Sequence, residues 1–371
     1  MRYLRSLLLL SFAAISLLSC ATRRVVSRDL AEAPDCTKVL TYSAGDVTRL
    51  ISSALRNRVI DQCKTPTCAA LSRVSETEHL LAIRGTPMIL SEMFHTLATL
   101  GKSVEVAVWK NRSDESIDFG GESRPGMIFS KWGQIPNELW ISKFNLKKLE
   151  RVLPELKKRL VELAQIEKPK LAEATNLKSG ESWNDPSYQL RRRQVAEELQ
   201  RKIIHIFESY VGPWPASKFF KFEGKTFTAI EFGQFINETF YGPEGINLNR
   251  AFVTGTIQDS GSTEKNDLLL KRIMDLIDQD LPVGISYLHD FRFLRKRPGV
   301  RPLLSWSNQK CEDQKKSEDY HRAVIVGYIK DPKNRLKALI IQNSHGINGV
   351  DEKIEMDVDF FWNMTTTIEW H

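Results

Sequence analysis

Three side-chain types that together support nucleophilic catalysis occur in well-separated parts of the chain. Cys68 closes a loop that reads DQCKTPTC, His321 opens the run HRAVIVGY, and Asn343 begins the stretch NSHG. A thiol can attack a carbonyl carbon, an imidazole can accept and return a proton, and a side-chain amide can hold that imidazole in place. Gln62 lies six residues before Cys68, where its amide could stabilise an oxyanion together with the Cys68 backbone N–H.

Each of these residues also has an ordinary structural interpretation. Cys68 could be a small buried apolar side chain, His321 a core histidine near a strand, and Asn343 a turn residue. A disulfide between Cys63 and Cys68 would block the thiol altogether. The order of the residues along the chain, together with their sequence context, is what favours a Cys-His-Asn nucleophilic site.

The thiol of Cys68 must lose its proton before it can act as a nucleophile. A free cysteine has a pKa of about 8.5, and both a helix N-terminus and a neighbouring imidazolium lower that pKa. Leu71, Val74 and Leu81 follow at helical spacing, so Cys68 is predicted to begin a helix whose dipole favours the thiolate. His321 would supply the imidazolium and later protonate the leaving group.

The secondary structure that must position these residues changes along the chain. A charged segment, about 137–212, repeats apolar residues at three- and four-residue steps and is predicted to be helical, with Pro154 either opening or kinking a helix. Short β-branched runs characterise the last hundred residues: 282–287, 323–328 and 338–342. Helices early and strands late predict an α+β architecture with two lobes.

The stretches around Cys68, His321 and Asn343 resemble the catalytic segments of the papain superfamily, nearest the branch of bleomycin hydrolase and aminopeptidase C. The segments that carry the resemblance are Gln62 with Cys68, Leu90-Ser91-Glu92, Phe119-Gly120-Gly121, His321 to Tyr328, and Asn343 to Gly346. The branch is indicated by Gly133 to Pro136 before the helical segment and by Gly212 to Pro215 after it.

This resemblance implies a papain-like, two-lobed α+β domain over 46–371 with a large helical insertion at about 137–212. It implies a thiol peptidase that hydrolyses peptide bonds through an acyl-enzyme on Cys68, acts on peptide or protein substrates and requires no cofactor. The backbone of Gly120 and Gly121 would bind the substrate chain, as the matching Gly-Gly pair does in the family.

Several residues depart from the family pattern and leave other functions open. Ala69 stands where the family usually has Trp, Arg322 where Ala is usual, and His345 where a Trp shields the His–Asn contact. Pro66 fixes φ and removes a backbone donor beside the nucleophile. The alternatives are an inactive papain-like protein that binds peptides in its cleft and a related amidase or transferase.

Residues 1–20 resemble a bacterial lipoprotein signal. Two arginines precede an apolar run, 7–18, that is too short to span a membrane comfortably and ends just before Cys20. In such signals the cysteine is lipidated, so we expect a membrane partner through the lipid anchor, a tether over 21–45 and a location in the bacterial cell envelope. Ala21 after the cysteine favours the outer membrane.

The bulk composition fits a soluble globular body. The 371 residues are 42% hydrophobic and 27% charged, with a formal net charge of +7. Positive charge suits anionic partners, but the short basic clusters stand without a recognised motif, so no nucleic-acid partner is predicted. No histidine or cysteine spacing typical of a metal site occurs in the sequence, and the adjacent pair His289–Asp290 is interpreted as a loop.

Overall fold

In the computed structural model, helices predominate in the first two thirds of the described chain and strands in the last third. The structure describes residues 45–55, 66–113, 116–119, 125–140, 144–178, 180–242, 249–252, 263–289, 293–295, 301–305, 319–343 and 353–370. These elements form an α+β fold, which confirms the predicted fold class.

The described residues contain eight α-helices. In chain order they are α1 (Cys68–Ile83), α2 (Glu92–Trp109), α3 (Pro125–Trp132), α4 (Leu146–Thr175), α5 (Pro186–Val211), α6 (Ala229–Ile236), α7 (Thr263–Asp278) and α8 (Val358–Met364). The first of them begins at Cys68, as predicted, and α4 and α5 lie within the predicted helical insertion. None of the described helices is both long enough and apolar enough to cross a membrane.

Eleven strands lie in the same described part of the chain. They are β1 (Val47–Leu50), β2 (Phe220–Phe222), β3 (Lys225–Phe227), β4 (Asn249–Phe252), β5 (Val283–His289), β6 (Leu294–Arg295), β7 (Leu303–Leu304), β8 (Asp319–Lys330), β9 (Leu336–Gln342), β10 (Lys353–Asp357) and β11 (Thr365–Trp370). One sheet has the order β4-β11-β5-β8-β9-β10-β7-β6, with β1 also paired to β8, and β2 pairs with β3 separately. Strand β8 therefore has three antiparallel partners: β5, β9 and β1.

Three apolar cores lie among the described residues, and two of them pack the long helices and the large sheet. Phe94, Trp132 and Phe207 are buried in the core between the helices. Ile325 and Phe360 are buried in the core of the sheet and the helices that cover it. Because burial of apolar surface is the main favourable term in folding, these two cores fix the positions of α1 and β8.

The leucine stripe predicted in the insertion is a packing face. Leu149, Leu156 and Leu160 of α4 are almost completely buried, as is Leu199 of α5. Helix α4 continues through Pro154, which is exposed, so water can bond to the backbone carbonyl that the proline leaves without a partner. The predicted proline start of a helix is therefore wrong, because α4 already begins at Leu146.

Candidate active site

Cys68 is the first residue of α1 and lies against β8. Thr67 precedes it and is buried, and its backbone carbonyl accepts a hydrogen bond from the Leu71 N–H at 3.0 Å, which starts the helix. The Cys68 Sγ is 4.0 Å from the backbone carbonyl oxygen of Tyr320. The thiol is free and partly exposed, which a nucleophile requires.

His321 and Asn343 meet through the register of β8 and β9. The register pairs Val324 with Gln342, so Asn343 follows β9 beside the part of β8 that contains His321. The His321 Nε2 hydrogen-bonds to the Asn343 Oδ1 at 2.5 Å, and both side chains are buried. Because an amide oxygen can only accept, the imidazole donates in this bond, which holds its ring in one orientation.

The structure therefore places Cys68 against β8 and joins His321 to Asn343, and the catalytic use of the three residues stays a prediction. The Cys68 sulfur lies beside the backbone of Tyr320 and Arg322, which are the two neighbours of His321 in β8. Asn343 reaches the same imidazole from the end of β9. A thiol, an imidazole and a side-chain amide thus lie on neighbouring elements, and these are the group types that thiol chemistry on a carbonyl group uses.

Other predicted site residues lie outside the part of the chain that the structure describes. They are Gln62, Gly120, Gly121 and the lipidation residue Cys20. The same holds for Cys63 and His345, so their roles stay predictions. Phe119, which directly precedes the Gly-Gly pair, is described and is buried.

No protein-family model matches the sequence, and neither does any curated protein sequence. Among solved structures, the chain is similar to PepW from Lactobacillus rhamnosis HN001 (DR20), with a TM-score of 0.58 and 12% identity over 89% of this chain and 82% of that chain. The chain has a papain-like fold. This likeness confirms the resemblance at the level of the fold and leaves the chemistry to the residues themselves.

Two further structures are more distantly similar. SERA5E from Plasmodium falciparum is 12% identical over 85% of this chain and 90% of that chain, with a TM-score of 0.41. A chain from a structure of the mite allergens Blo t 1 and Der p 1 is 12% identical over 90% of this chain and 72% of that chain, with a TM-score of 0.39. These superpositions are too loose to support a conclusion of their own.

Burial raises the pKa of the Cys68 thiol above its ordinary value. The backbone N–H groups of Arg322 and Ala69, together with the positive charge of Arg322, lower this pKa but do not outweigh burial. The helix N-terminus at Cys68 therefore does not by itself bring the pKa of the thiol below its ordinary value. A thiolate here needs a positive charge in addition to that of Arg322, and a protonated His321 imidazole could supply it.

The imidazole of His321 lies among aromatic side chains of β5. Its ring centroid is 5.3 Å from that of Tyr287, its cross-strand partner, and 5.2 Å from that of His289. Burial, and secondarily the charge of Cys68, raises the pKa of Tyr287 well above its ordinary value, so the phenol stays neutral. His289 is buried within β5, so the interpretation of His289–Asp290 as a loop is wrong for His289.

A hydrogen-bonded histidine joins α1 to the strand end that carries Asn343. His79 Nδ1 lies 2.9 Å from the Ser53 Oγ, and its Nε2 lies 2.7 Å from the Oε1 of Gln342, the residue before Asn343. Burial lowers the pKa of His79 to about 4, so this imidazole is neutral near pH 7. The helix that begins with Cys68 is thus tied to the end of the strand that Asn343 follows.

Nothing in the motif pattern identifies the partners of Arg322. The sequence signal for such a partner was the position of Arg322 inside an apolar strand. A guanidinium buried there needs a buried carboxylate beside it. The structure supplies Glu369, whose Oε2 accepts from the Arg322 Nη2 at 2.6 Å.

Within the described residues, no three His, Cys, Asp or Glu side chains are grouped as metal ligands would be.

Proposed function

We propose that this protein is a papain-like cysteine peptidase that hydrolyses peptide bonds in peptide or protein substrates. The observation that supports this most strongly is the His321–Asn343 hydrogen bond beside the Cys68 end of α1. Cys68 would be the nucleophile, His321 the acid and base, and Asn343 the residue that orients the imidazole. The likeness to PepW supports the proposal through the fold.

In the proposed reaction, the Cys68 thiol gives its proton to His321 and the sulfur attacks the carbonyl carbon of the peptide bond. The carbonyl oxygen becomes an oxyanion, which the Gln62 amide and the Cys68 backbone N–H would stabilise. The C–N bond then breaks, the leaving amine takes the proton from His321, and a thioester remains on the sulfur. Water, deprotonated by His321, hydrolyses the thioester and releases the thiol. Gly120 and Gly121 would hold the substrate backbone throughout.

Replacement of the nucleophile tests this mechanism in the full-length chain. Cys68→Ala should abolish hydrolysis of a peptide library and covalent labelling by a thiol-directed epoxide, with an unchanged circular dichroism spectrum. Cys63→Ala removes a thiol from the same loop and should retain both activities. Hydrolysis by Cys68→Ala at the rate of the unmodified protein would refute the mechanism.

One observation favours a second candidate, an inactive papain-like protein that binds peptides. The raised pKa of Cys68 keeps the thiol protonated unless His321 takes up its proton, and a protonated thiol is a poor nucleophile. Pro66 and Ala69, which lie on either side of Cys68 and depart from the family pattern, also favour the inactive protein. An activated ester separates the candidates: a peptidase gives a burst of product equal to its own concentration, whereas the binding protein gives none.

We also propose that the protein is tethered to a membrane of a bacterial cell envelope through lipidated Cys20. The support is the signal-like pattern of residues 1–20, and Ala21 points to the outer membrane. Lipidation by more than one acyl chain would hold the chain stably at the bilayer. The measurement is incorporation of a fatty-acid label that depends on Cys20.

A further inference from the structure

Four oppositely charged side chains form a buried group behind the proposed site, which we call the buried charge cluster. It consists of Arg73 and Glu76 of α1, Arg322 of β8 and Glu369 of β11. Arg73 Nη1 donates to the Glu76 Oε2 at 2.7 Å, and Arg322 Nη2 donates to the Glu369 Oε2 at 2.6 Å. Arg73 also bonds to Glu369, and Arg322 lies 4.0 Å from Glu76. Two positive and two negative charges therefore balance.

The cluster joins the two elements that carry the nucleophile and the acid–base group. Arg73 lies five residues after Cys68 in α1, and Arg322 directly follows His321 in β8. The fold also leaves room for the guanidinium, because a Cβ on Gly284 of β5 would lie only 2.6 Å from the Arg322 Nη2. Side-chain exposure is 11% for Arg322 and 2% for Glu369, so both charges are withdrawn from water.

Stability alone does not explain a cluster of this kind. Desolvation of buried charges opposes their attraction, and well-packed apolar residues of similar volume often stabilise a protein as well or better. Unlike apolar residues, the charged side chains form directional hydrogen bonds. The two N–H groups of a guanidinium fix both the angle and the distance to a carboxylate. A role in geometry, rather than in net stability, fits the place of the cluster between α1 and β8.

We propose that the buried charge cluster is a positioning device, which fixes the Cys68 end of α1 against the His321 segment of β8 and keeps the positive charge of Arg322 beside the thiol. Arg322 is then a positioning residue of the site, where the resembled family has a neutral residue. This inference rests on the proposed function, because it assumes that Cys68 is the nucleophile.

The electrostatics of the thiol agree with this geometry. The backbone N–H and the charge of Arg322 both lower the pKa of Cys68, against the effect of burial. Near the thiol, Tyr287 on β5 is a neutral phenol, and its ring lies 5.3 Å from that of His321 on β8. Arg322 is therefore the permanent positive charge that acts on the sulfur.

The test is the reactivity of Cys68 toward iodoacetamide as a function of pH, measured on the full-length chain by mass spectrometry of the Cys68 peptide. Arg322→Met should raise the midpoint of the pH–rate curve by about one unit, which slows alkylation near neutral pH by about tenfold. Arg322→Lys, which keeps the charge but not the fork, should recover part of this shift. A purely structural role would lower the melting temperature and leave the midpoint unchanged.

A charge-balanced variant covers the case in which Arg322→Met does not fold. Arg322→Met with Glu369→Gln removes one charge of each sign and leaves the Arg73–Glu76 pair, so it should fold and still raise the midpoint, by less than Arg322→Met alone because a negative charge is removed as well. A midpoint equal to that of the unmodified protein in this double variant would overturn the proposal. Because alkylation needs no peptide substrate, this result is distinguishable from failure of the proposed peptidase activity.

The insertion offers a matched control for loss of an ion pair. Arg191 Nη1 of α5 lies 2.6 Å from the Oε1 of Glu181, which stands between α4 and α5, and both residues are far from Cys68 in sequence. Arg191→Met with Glu181→Gln should therefore leave the alkylation midpoint of Cys68 unchanged. A shift in this control equal to that of the Arg322 variants would show a general effect of charge removal and would also overturn the proposal.

Discussion

Among single residues, Tyr287 combines complete burial with a polar atom that no described residue satisfies. Its hydroxyl makes no hydrogen bond in the described part of the chain, although its ring packs edge-on against His321 at 5.3 Å. An unsatisfied buried donor costs about 1–3 kcal/mol. The phenol therefore contributes its ring to the packing of the imidazole, while its hydroxyl weakens the fold.

Tyr287→Phe should raise the free energy of unfolding by about 1 kcal/mol, because it removes the unsatisfied hydroxyl and keeps the ring. Urea denaturation measures the change. Tyr241→Phe is the matched control: its hydroxyl lies 2.9 Å from the Thr77 Oγ, so its loss should destabilise the protein by about 1 kcal/mol. Equal destabilisation by both substitutions would contradict the description of the Tyr287 hydroxyl.

The sequence predicted the residues of the site that carry a motif but not those that surround them. Cys68, His321 and Asn343 stand in recognisable contexts, and the structure places Cys68 against β8 and bonds His321 to Asn343. Tyr287 and Glu369 carry no local signal, because their roles follow from strand register and from contacts across the sheet. Register between distant strands is not encoded in a short window of sequence.

At the level of elements, contacts near both ends of α1 fix its position beside the candidate site. Its first residue lies against β8, and His79 in its fourth turn bonds to Ser53 and to Gln342 at the end of β9. Glu78 in the same turn accepts the Leu90 N–H at 2.7 Å and so fixes the approach to α2. The helix is the common support of the parts that thiol chemistry needs.

The buried histidines make stability depend on pH. The pKa of His79 in the folded protein is about 4, below the value of about 6.5 expected in the unfolded chain. Between these values the unfolded chain binds a proton that the folded protein does not, so stability is complete above pH 6.5 and is lost as the pH falls toward 4. Burial, with the charge of Arg73 second, lowers the pKa of His95 to about 3, which acts in the same direction.

Thermal unfolding between about pH 7 and pH 4 tests this dependence, with about 3 kcal/mol expected from His79 alone at the lower limit. His79→Gln keeps an amide that can bond to Ser53 and Gln342 but does not titrate, so its melting temperature should fall less steeply with pH. His205→Gln, which replaces an exposed histidine of α5, is the control for substitution of a histidine by glutamine. An unaltered slope in His79→Gln would remove His79 as a cause.

On the scale of the whole molecule, an aromatic cluster packs the insertion into the helical core. The ring of Trp214, which follows α5, lies 4.6 Å from Phe94 of α2, 6.4 Å from Trp132 of α3 and 5.7 Å from Phe207 of α5. Aromatic pairs at these distances add to the energy of area burial. Helices α4 and α5, which lie in the predicted insertion, therefore contribute to the same core as α2.

Membrane attachment is a prediction about the whole molecule. Cells that produce the full-length chain with a fatty-acid label should incorporate it into this protein and lose the label in Cys20→Ser, which should then be released from the membrane fraction. Cys36→Ser keeps the signal pattern and should remain labelled and attached. Retention of the label by Cys20→Ser would exclude lipidation at that residue.

Local pattern was enough to predict the α+β class, the helix that begins at Cys68 and the helical insertion, because apolar periodicity and helix-start signals act over a few residues. Family-like motifs then indicated three residues of the site. Only the tertiary structure decided that burial raises the pKa of Cys68, that Arg322 pairs with Glu369, and that a neutral phenol lies beside the imidazole. Desolvation and charge pairing depend on what surrounds a group in three dimensions, and residues far apart in the chain supply those surroundings.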